Sequence, residues 1–337
     1  MRSSNKFNPV VSILMPYKDE ARHLEECLKS IVQQSFTGWE LIAVDDHSVD
    51  EGPEILEYQA IEDPRIRPLK NEGIGIIDAL DTAFRKSNGS YITRMDADDI
   101  MMPDKVKKLK EALDINGKGC VSVGHVEYFS ESEMGAGYLS YAQWLNDLTS
   151  SGSNLKEIYL ECPIPSPCWM MHREDLKICN AFLPDVYPED YDLVFRMKEA
   201  GMKVVGIDEV LHRWRDHADR SSRNSVHYAD NRFTSLKLHY FIKHELDHYD
   251  IPIVWGAGRK GKEISRKLIE RKIDFKWITE NNQKISVNIY DKIIQGPHIL
   301  NQLKTSKIII AFSTFHDPNS YYDLVNLYPQ HQFFRFF

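Results

Sequence analysis

The chain has 337 residues, a length that suggests about two domains. Apolar residues make up 42% and charged residues 27%, the balance of a soluble globular protein, and a net charge of −8 argues against a surface coated in non-specific nucleic-acid contacts. The cysteines (Cys27, Cys120, Cys162, Cys168, Cys179) form no CxxC pair, which speaks against a disulfide framework or structural zinc and for reduced thiols in the cytosol.

"VVSILMP" (10–16) is a continuous apolar run, the pattern of a strand buried in a parallel sheet. It meets Lys18, Asp19 and Glu20 too soon for a signal-peptide core, and no apolar run reaches the ~20 residues that span a bilayer. The expectation is a cytoplasmic protein without stable membrane insertion, free or peripheral at the inner membrane face. Leu24, Leu28, Ile31 and Val32 then share a predicted helical face. "WELIAVDD" (39–46) is the second strand and "IRPLKN" the third. "GIGIIDALDTAFRKSNG" reads as a helix with Ile77, Leu80 and Phe84 inward and Gly89 near its stop signal. "SYITRMD" is the fourth strand, and the alternation is that of a doubly wound α/β domain.

Such sheets bind ligands at the carboxyl ends of their strands. Asp45 and Asp46 follow strand two; Asp96, Asp98 and Asp99 follow strand four in "RMDADDIMMP". Three carboxylates so close repel one another, and a hard dication, Mn²⁺ or Mg²⁺, held by oxygen ligands would answer them. An acidic turn is the plainer reading of that triplet taken alone. "KVKKLK" (105–110) reads as a solvated helix face, and Trp144 and Trp169 as core residues or sugar-stacking rings.

The alternation breaks down between 120 and 225, where "VYPEDYDLVFRMKEAG" and the basic, aromatic "LHRWRDHADRSSR" lie. Residues 224–249 read as a helical connector. A new strand begins "IPIVWGAGRKGKEI", with Gly256, Gly258 and Gly261 in GxGxxG spacing and Glu280 near the end of the next strand, at the distance of a ribose contact. The expected layout is a catalytic domain over 1–223, the connector, and a smaller Rossmann-like α/β domain over 250–337.

"VSILMPYKDEARHLEECLKSIVQQSF", "LIAVDDHSVD", "NEGIGIIDALDTAF", "SYITRMDADD" and "PEDYDLVFRM" stand in the order found in family-2 glycosyltransferases of GT-A fold, which residues 9–220 resemble. The resemblance implies an inverting, metal-dependent transfer of a hexose, galactose or a related sugar, from a UDP-sugar. Carried over by position, it implies Pro16, Tyr17 and Glu20 around the nucleoside, Asp46 and Ser48 near the base, and Asp96 at the ribose. Asp98 would ligate the metal, with His217 on the metal or diphosphate. Asp190 would be the general base, supported by Glu189; apart from the resemblance, Arg213, Arg215, Arg220 and Arg223 are candidates to clamp the diphosphate, with some of them read as plain loop charges. Asp190 opens a helix, whose macrodipole favours an ionised carboxylate; Glu189 and Asp190 as mere first-turn acids is the plainer alternative. The whole layout, with "VWGAGRKGKEI" and an aromatic C-terminal tail, also resembles queuosine-tRNA galactosyltransferases. Two acceptors therefore stay open, a cell-surface glycan intermediate and queuosine in tRNA. An NAD- or nucleotide-sugar-dependent oxidoreductase working through the GxGxxG unit is the alternative from a different class.

Overall fold

In the computed structural model, which describes residues 8–130, 135–217, 230–313 and 318–337, strand β1 (Val11–Tyr17) is buried at every position. It needs no polar face because it has a parallel neighbour on each side, β2 (Trp39–Asp45) and β4 (Tyr91–Arg94). Between them come α1 (Ala21–Val32), α2 (Gly52–Glu62), β3 (Ile66–Lys70) and α3 (Ile76–Lys86). The chain continues through β5 (Ile100–Met101), α4 (Lys105–Asn116), β6 (Cys120–Phe129) and α5 (Ala136–Ser151). Then follow β7 (Trp169–His172), α6 (Arg173–Ile178), α7 (Glu189–Glu199) and β8 (Lys203–Arg215). The eight strands run β3-β2-β1-β4-β7-β6-β8-β5; the first four are mutually parallel, and β7 is antiparallel to both β4 and β6. Where the sequence loses its regular alternation, the sheet turns mixed.

Leu24, Cys27, Leu28 and Ile31 of α1 recur at three- and four-residue steps and are fully or almost fully buried, worth roughly 1.5–3 kcal/mol for each large side chain. Val32, expected on this face, is 38% exposed because it lies about 100° round the helix from Ile31. α3 ends at Lys86, earlier than Gly89 suggested, with the Ser87 hydroxyl donating to the Phe84 carbonyl (2.7 Å). Gly89 answers a different need. A Cβ there would lie 2.6 Å from the Ser12 amide nitrogen, so the glycine lets the chain pass close against β1.

The chain divides into one unit of residues 1–156 and 163–224 and a second of 157–162 and 225–337. In the second, α8 (Asp230–Glu245), β9 (Ile253–Trp255), α9 (Arg259–Glu270) and β10 (Lys276–Ile278) precede a small hairpin of β11 (Asn288–Ile289) and β12 (Lys292–Ile293). β13 (Lys307–Ile310), α10 (Pro318–Leu327) and β14 (Gln332–Arg335) complete it. Its sheet is wholly parallel, ordered β10-β9-β13-β14 around Ile253, Trp255, Ile278, Ile308 and Ile310. The helix expected as a connector is part of this unit: the buried Lys237 ammonium on α8 donates to the carbonyls of Leu160 (2.7 Å) and Phe336 (3.2 Å). The aromatic tail is core. Phe336 stacks on Tyr159 (5.6 Å between centroids), and Phe334 meets both Tyr159 and Phe241 edge-on.

Candidate active site

Parallel pairing in register, Tyr17 opposite Asp45, brings the ends of β1 and β2 together. Pro16 and Tyr17 are buried in β1, and burial followed by the Asp45 charge drives the Tyr17 hydroxyl far above its usual pKa. Asp46, expected near the base, has one oxygen engaged: Oδ1 accepts from Asn71 Nδ2 (2.7 Å) and the Gly75 amide (2.8 Å), which fixes the loop after β3. Gly75 has φ +93°, which suits glycine here. The Ser48 hydroxyl accepts from the Asp19 amide (2.9 Å), and Asp19 Oδ1 accepts from the Val49 amide (2.7 Å), so the loops after β1 and β2 are tied together.

The triplet after β4 resolves into three separate roles. Asp96 receives Arg94 Nε (3.0 Å), and the same buried guanidinium donates through Nη1 to Glu189 Oε1 (3.0 Å) on the first turn of α7. Arg94 thereby ties the acidic turn to the helix that carries Asp190. Asp99 is fully buried and accepts from the Arg215 amide (2.8 Å), while its Oδ2 meets His212 Nε2 (2.8 Å). His212 Nδ1 faces the Lys105 side-chain nitrogen at 3.0 Å, so the ring bridges Asp99 and Lys105. The solvated face expected for "KVKKLK" is therefore corrected at Lys105. It is completely buried, its pKa lowered by that burial, and it also donates to the Pro167 carbonyl.

Asp98 is the member of the triplet that meets a histidine from outside the sheet: its Oδ2 lies 2.9 Å from His217 Nε2. The ring of His217 is 5.0 Å from that of His23, and Glu20, His23 and His217 offer ligand atoms within 4.8 Å of one another. Burial, then the Asp98 charge, pushes Glu20 up to about 7, while burial and the neighbouring Arg215 and His217 charges lower His23. Carboxylate oxygens and imidazole nitrogens crowded at this cost form a donor set that fits a divalent cation such as Mn²⁺.

Asp190, at the N-terminus of α7, keeps a partly open face. Burial, then the Glu189 charge, nevertheless pushes its carboxyl up to about 7 against the opposing pull of Arg94. The helix-terminus argument from sequence expects an ionised acid; desolvation outweighs it here. Arg215 is buried, its guanidinium donating to the Asp98 carbonyl (2.6 Å) and to Glu26, so it braces the acidic turn from within. Arg213 lies against Glu127 (3.5 Å) and the Phe129 ring. Arg220 and Arg223 lie outside the described residues. Trp169 is buried in β7 and Trp144 stacks on Tyr141. The sequence reading missed Arg94, Asp99 as a structural acid, Lys105 and His212. Only the spacing of Arg94, two residues before an Asp-x-Asp, offered any signal.

A parallel sheet with acids along its carboxyl edge, continued through an antiparallel strand to a second acidic helix start, is the arrangement of a GT-A fold. Residues 12–178 match the profile of "Glycosyl transferase family 2", and the chain is a family 2 glycosyltransferase. It is 27% identical over 238 residues to an uncharacterized glycosyltransferase of Haemophilus influenzae, covering 68% of this chain and 72% of that one. In fold it is similar to S. aureus TarS 1–349 in complex with UDP-GlcNAc (TM-score 0.58, 15% identity, 77% of this chain and 71% of that one). A mannosyltransferase from Pyrobaculum calidifontis in complex with GDP-Man and Mn²⁺ is also similar (TM-score 0.51, 18% identity, 78% and 69%). Among the described residues no helix is long and apolar enough to cross a membrane.

Proposed function

We propose that this glycosyltransferase moves a hexose from a UDP-sugar, with inversion, to a hydroxyl of a glycan intermediate. The observation that carries the reading is the Arg94 bridge. One buried guanidinium holds both Asp96, beside the donor edge of the sheet, and Glu189, beside Asp190. A donor at the strand ends and an acceptor at the start of α7 would thus share one cleft. TarS supports a UDP-linked donor by analogy of fold.

In this reading Pro16 and Tyr17 floor the nucleoside pocket, the loop held by Asp46 and Ser48 closes it, and Asp96 meets the ribose. Asp98 and His217 would hold Mn²⁺ or Mg²⁺, which when bound offsets negative charge on the departing diphosphate. Asp190 accepts the proton of the acceptor hydroxyl. A base with a pKa near 7 is part ionised at neutral pH and still strong enough to take that proton, a contribution of typically ~10²–10⁴-fold. Glu189, held by Arg94, raises the basicity of Asp190 through its charge.

A glycan acceptor fits the arginines better than tRNA does, because Arg213 and Arg215 are both engaged by carboxylates inside their own unit. The test is a donor-hydrolysis screen across UDP- and GDP-sugars with Mn²⁺ and Mg²⁺. Transfer to glycan intermediates and to queuosine-containing tRNA follows, read by mass spectrometry. UDP-hexose-dependent glycosylation of a glycan is expected. Preference for GDP-sugars would overturn the donor, and hexose added to queuosine would overturn the acceptor.

A further inference from the structure

Glu20 occupies the N-cap position of α1, yet its side chain does not cap the helix. Asp50 Oδ2, on the loop after β2, accepts from the Ala21 amide instead (2.7 Å). Glu20 contributes its carbonyl, which accepts from the amides of His23 (3.0 Å) and Leu24 (3.1 Å). Its carboxylate is thereby released for another purpose. Three residues on, His23 lies on the same side of the first helical turn.

His23 is only 6% exposed, and neither its ring nitrogens nor the Glu20 carboxylate makes a hydrogen bond among the described residues. A side chain so placed gives up most of its hydration with no return, which native structures seldom tolerate without a reason. What the ring faces is a set of donor atoms. One of its nitrogens, one from His217 and a Glu20 oxygen lie within 4.8 Å of one another, with the two rings 5.0 Å apart. An ion pair accounts for Asp98 on His217, at 2.9 Å, but leaves His23 and Glu20 unexplained.

The spacings suit a six-coordinate ion. With bonds of about 2.1 Å, such an ion holds neighbouring donors about 3.0 Å apart and opposite donors about 4.2 Å apart. Asp98 Oδ2 and His217 Nε2 already stand at the first of these spacings. The 4.8 Å limit on the other three atoms exceeds the second by about 0.6 Å, within reach of small side-chain rotations. The segment carrying His217 is anchored to β6: the Asp216 amide donates to the Phe129 carbonyl (2.8 Å), and the Ser130 hydroxyl donates to the Asp216 carbonyl (2.9 Å). Arg215, whose charge reaches His23, is engaged by Glu26 and the Asp98 carbonyl. Two imidazole nitrogens beside two carboxylates serve Mn²⁺ or Co²⁺ well and Mg²⁺ poorly, since Mg²⁺ keeps oxygen ligands and several waters.

We infer that Glu20 and His23 complete a metal site with His217 and Asp98, a protein ligand set that takes up Mn²⁺ or Co²⁺ before any nucleotide arrives and discriminates against Mg²⁺. The inference rests on the metal reading proposed above and adds two ligands to it, for the family resemblance carries Glu20 to the nucleoside and gives His23 no role. An ion that arrives with a nucleotide's phosphates needs only one or two protein carboxylates. Four protein donors hold it without that help.

The test uses the full chain stripped of metal by chelator and exchanged into metal-free buffer. Mn²⁺, Co²⁺ and Mg²⁺ are titrated by calorimetry, without nucleotide, into the wild type, His23→Gln and Glu20→Gln. Electron spin-echo spectroscopy reads the ligands of bound Mn²⁺, and thermal unfolding of the metal-free proteins checks that the variants fold. The wild type should bind one equivalent of Mn²⁺ at least ~10-fold more tightly than Mg²⁺, with coordinated imidazole nitrogen in the echo. Each variant should lose at least ~10-fold in Mn²⁺ affinity while its metal-free unfolding stays near wild type, and the nitrogen coupling should diminish in His23→Gln. No Mn²⁺ uptake without nucleotide, Mg²⁺ bound as tightly as Mn²⁺, or uptake indifferent to both variants overturns the inference; turnover that still needs metal then leaves the Asp98 reading standing. Undiminished turnover in excess chelator instead removes the metal from the transfer reaction, whether or not these residues bind an ion. The echo needs no variant: wild-type Mn²⁺ without histidine nitrogen overturns the inference even if a substitution fails to fold.

Discussion

Asp190→Asn separates a proton acceptor from a binding residue because it changes stability and turnover in opposite directions. The carboxyl titrates near 3.8 when unfolded and about 7 when folded, so between those values the folded state holds more protons than the unfolded one. Stability therefore falls as pH rises from about 4 to 7, by about 1.4 kcal/mol per unit. The full cost at and above pH 7 is about 4 kcal/mol as an upper bound, shared in part with Glu189. Asparagine never ionises and escapes it. The variant should be more stable than wild type by about 1–4 kcal/mol at pH 8, the advantage shrinking steadily toward pH 4. Urea denaturation at four or five pH values measures this directly. Wild-type kcat should rise with pH through about 7, and the variant should lose ~10²–10⁴-fold in kcat with the donor KM little changed. A variant no more stable than wild type at pH 8, or a stability difference flat in pH, would refute the burial argument. Lost donor affinity at full kcat would refute the assignment as base.

Asp98→Asn should stay folded yet lose metal-dependent turnover and the thermal shift induced by Mn²⁺, because asparagine keeps the shape and drops the charge that holds a dication; full activity in excess chelator would exclude the metal reading. Arg94→Gln removes both the cation and the two-armed bridge from Asp96 to Glu189. Since Arg94 holds the Asp190 pKa down, its loss should move the rising limb of the kcat profile to higher pH, and a move to lower pH would contradict the bridge. Lys105→Met leaves His212 Nδ1 and the Pro167 carbonyl without their donor, which should cost about 1–3 kcal/mol in urea denaturation; unchanged stability would show that the buried ammonium does not hold this corner.

β1 and β2 were legible because burial on both faces leaves a long apolar run, as in Val11–Tyr17 and the Leu41–Val44 stretch of Trp39–Asp45. β7 was not: Trp169–His172 is four residues long and looks like any short apolar patch, and only pairing with β4 and β6 makes it a central strand. At the site, the acids were visible as types and their partners were not. Arg94 meets Glu189 across 95 positions and Asp99 meets His212 across 113, separations no local spacing can report. Lys105 was misjudged for the same reason. In a helix written KVKKLK nothing local distinguishes the lysine that points inward, and what selects it is a histidine brought over by β8.

Those unseen partners decide which of three neighbouring carboxylates is able to serve a ligand. Asp96 spends one oxygen on Arg94, and Asp99 is closed off by an amide and an imidazole that is itself held by Lys105. Asp98 is left facing a histidine, a group that trades its proton for a metal far more readily than a guanidinium gives up a carboxylate. The backbone on either side of it is pinned as well: Arg215 donates to the Asp98 carbonyl, and the Arg215 amide donates to Asp99. A ligand held by Asp98 thus meets a carboxylate whose position is set by buried bonds. The cost of ordering it falls on folding, and the ligand does not have to supply it.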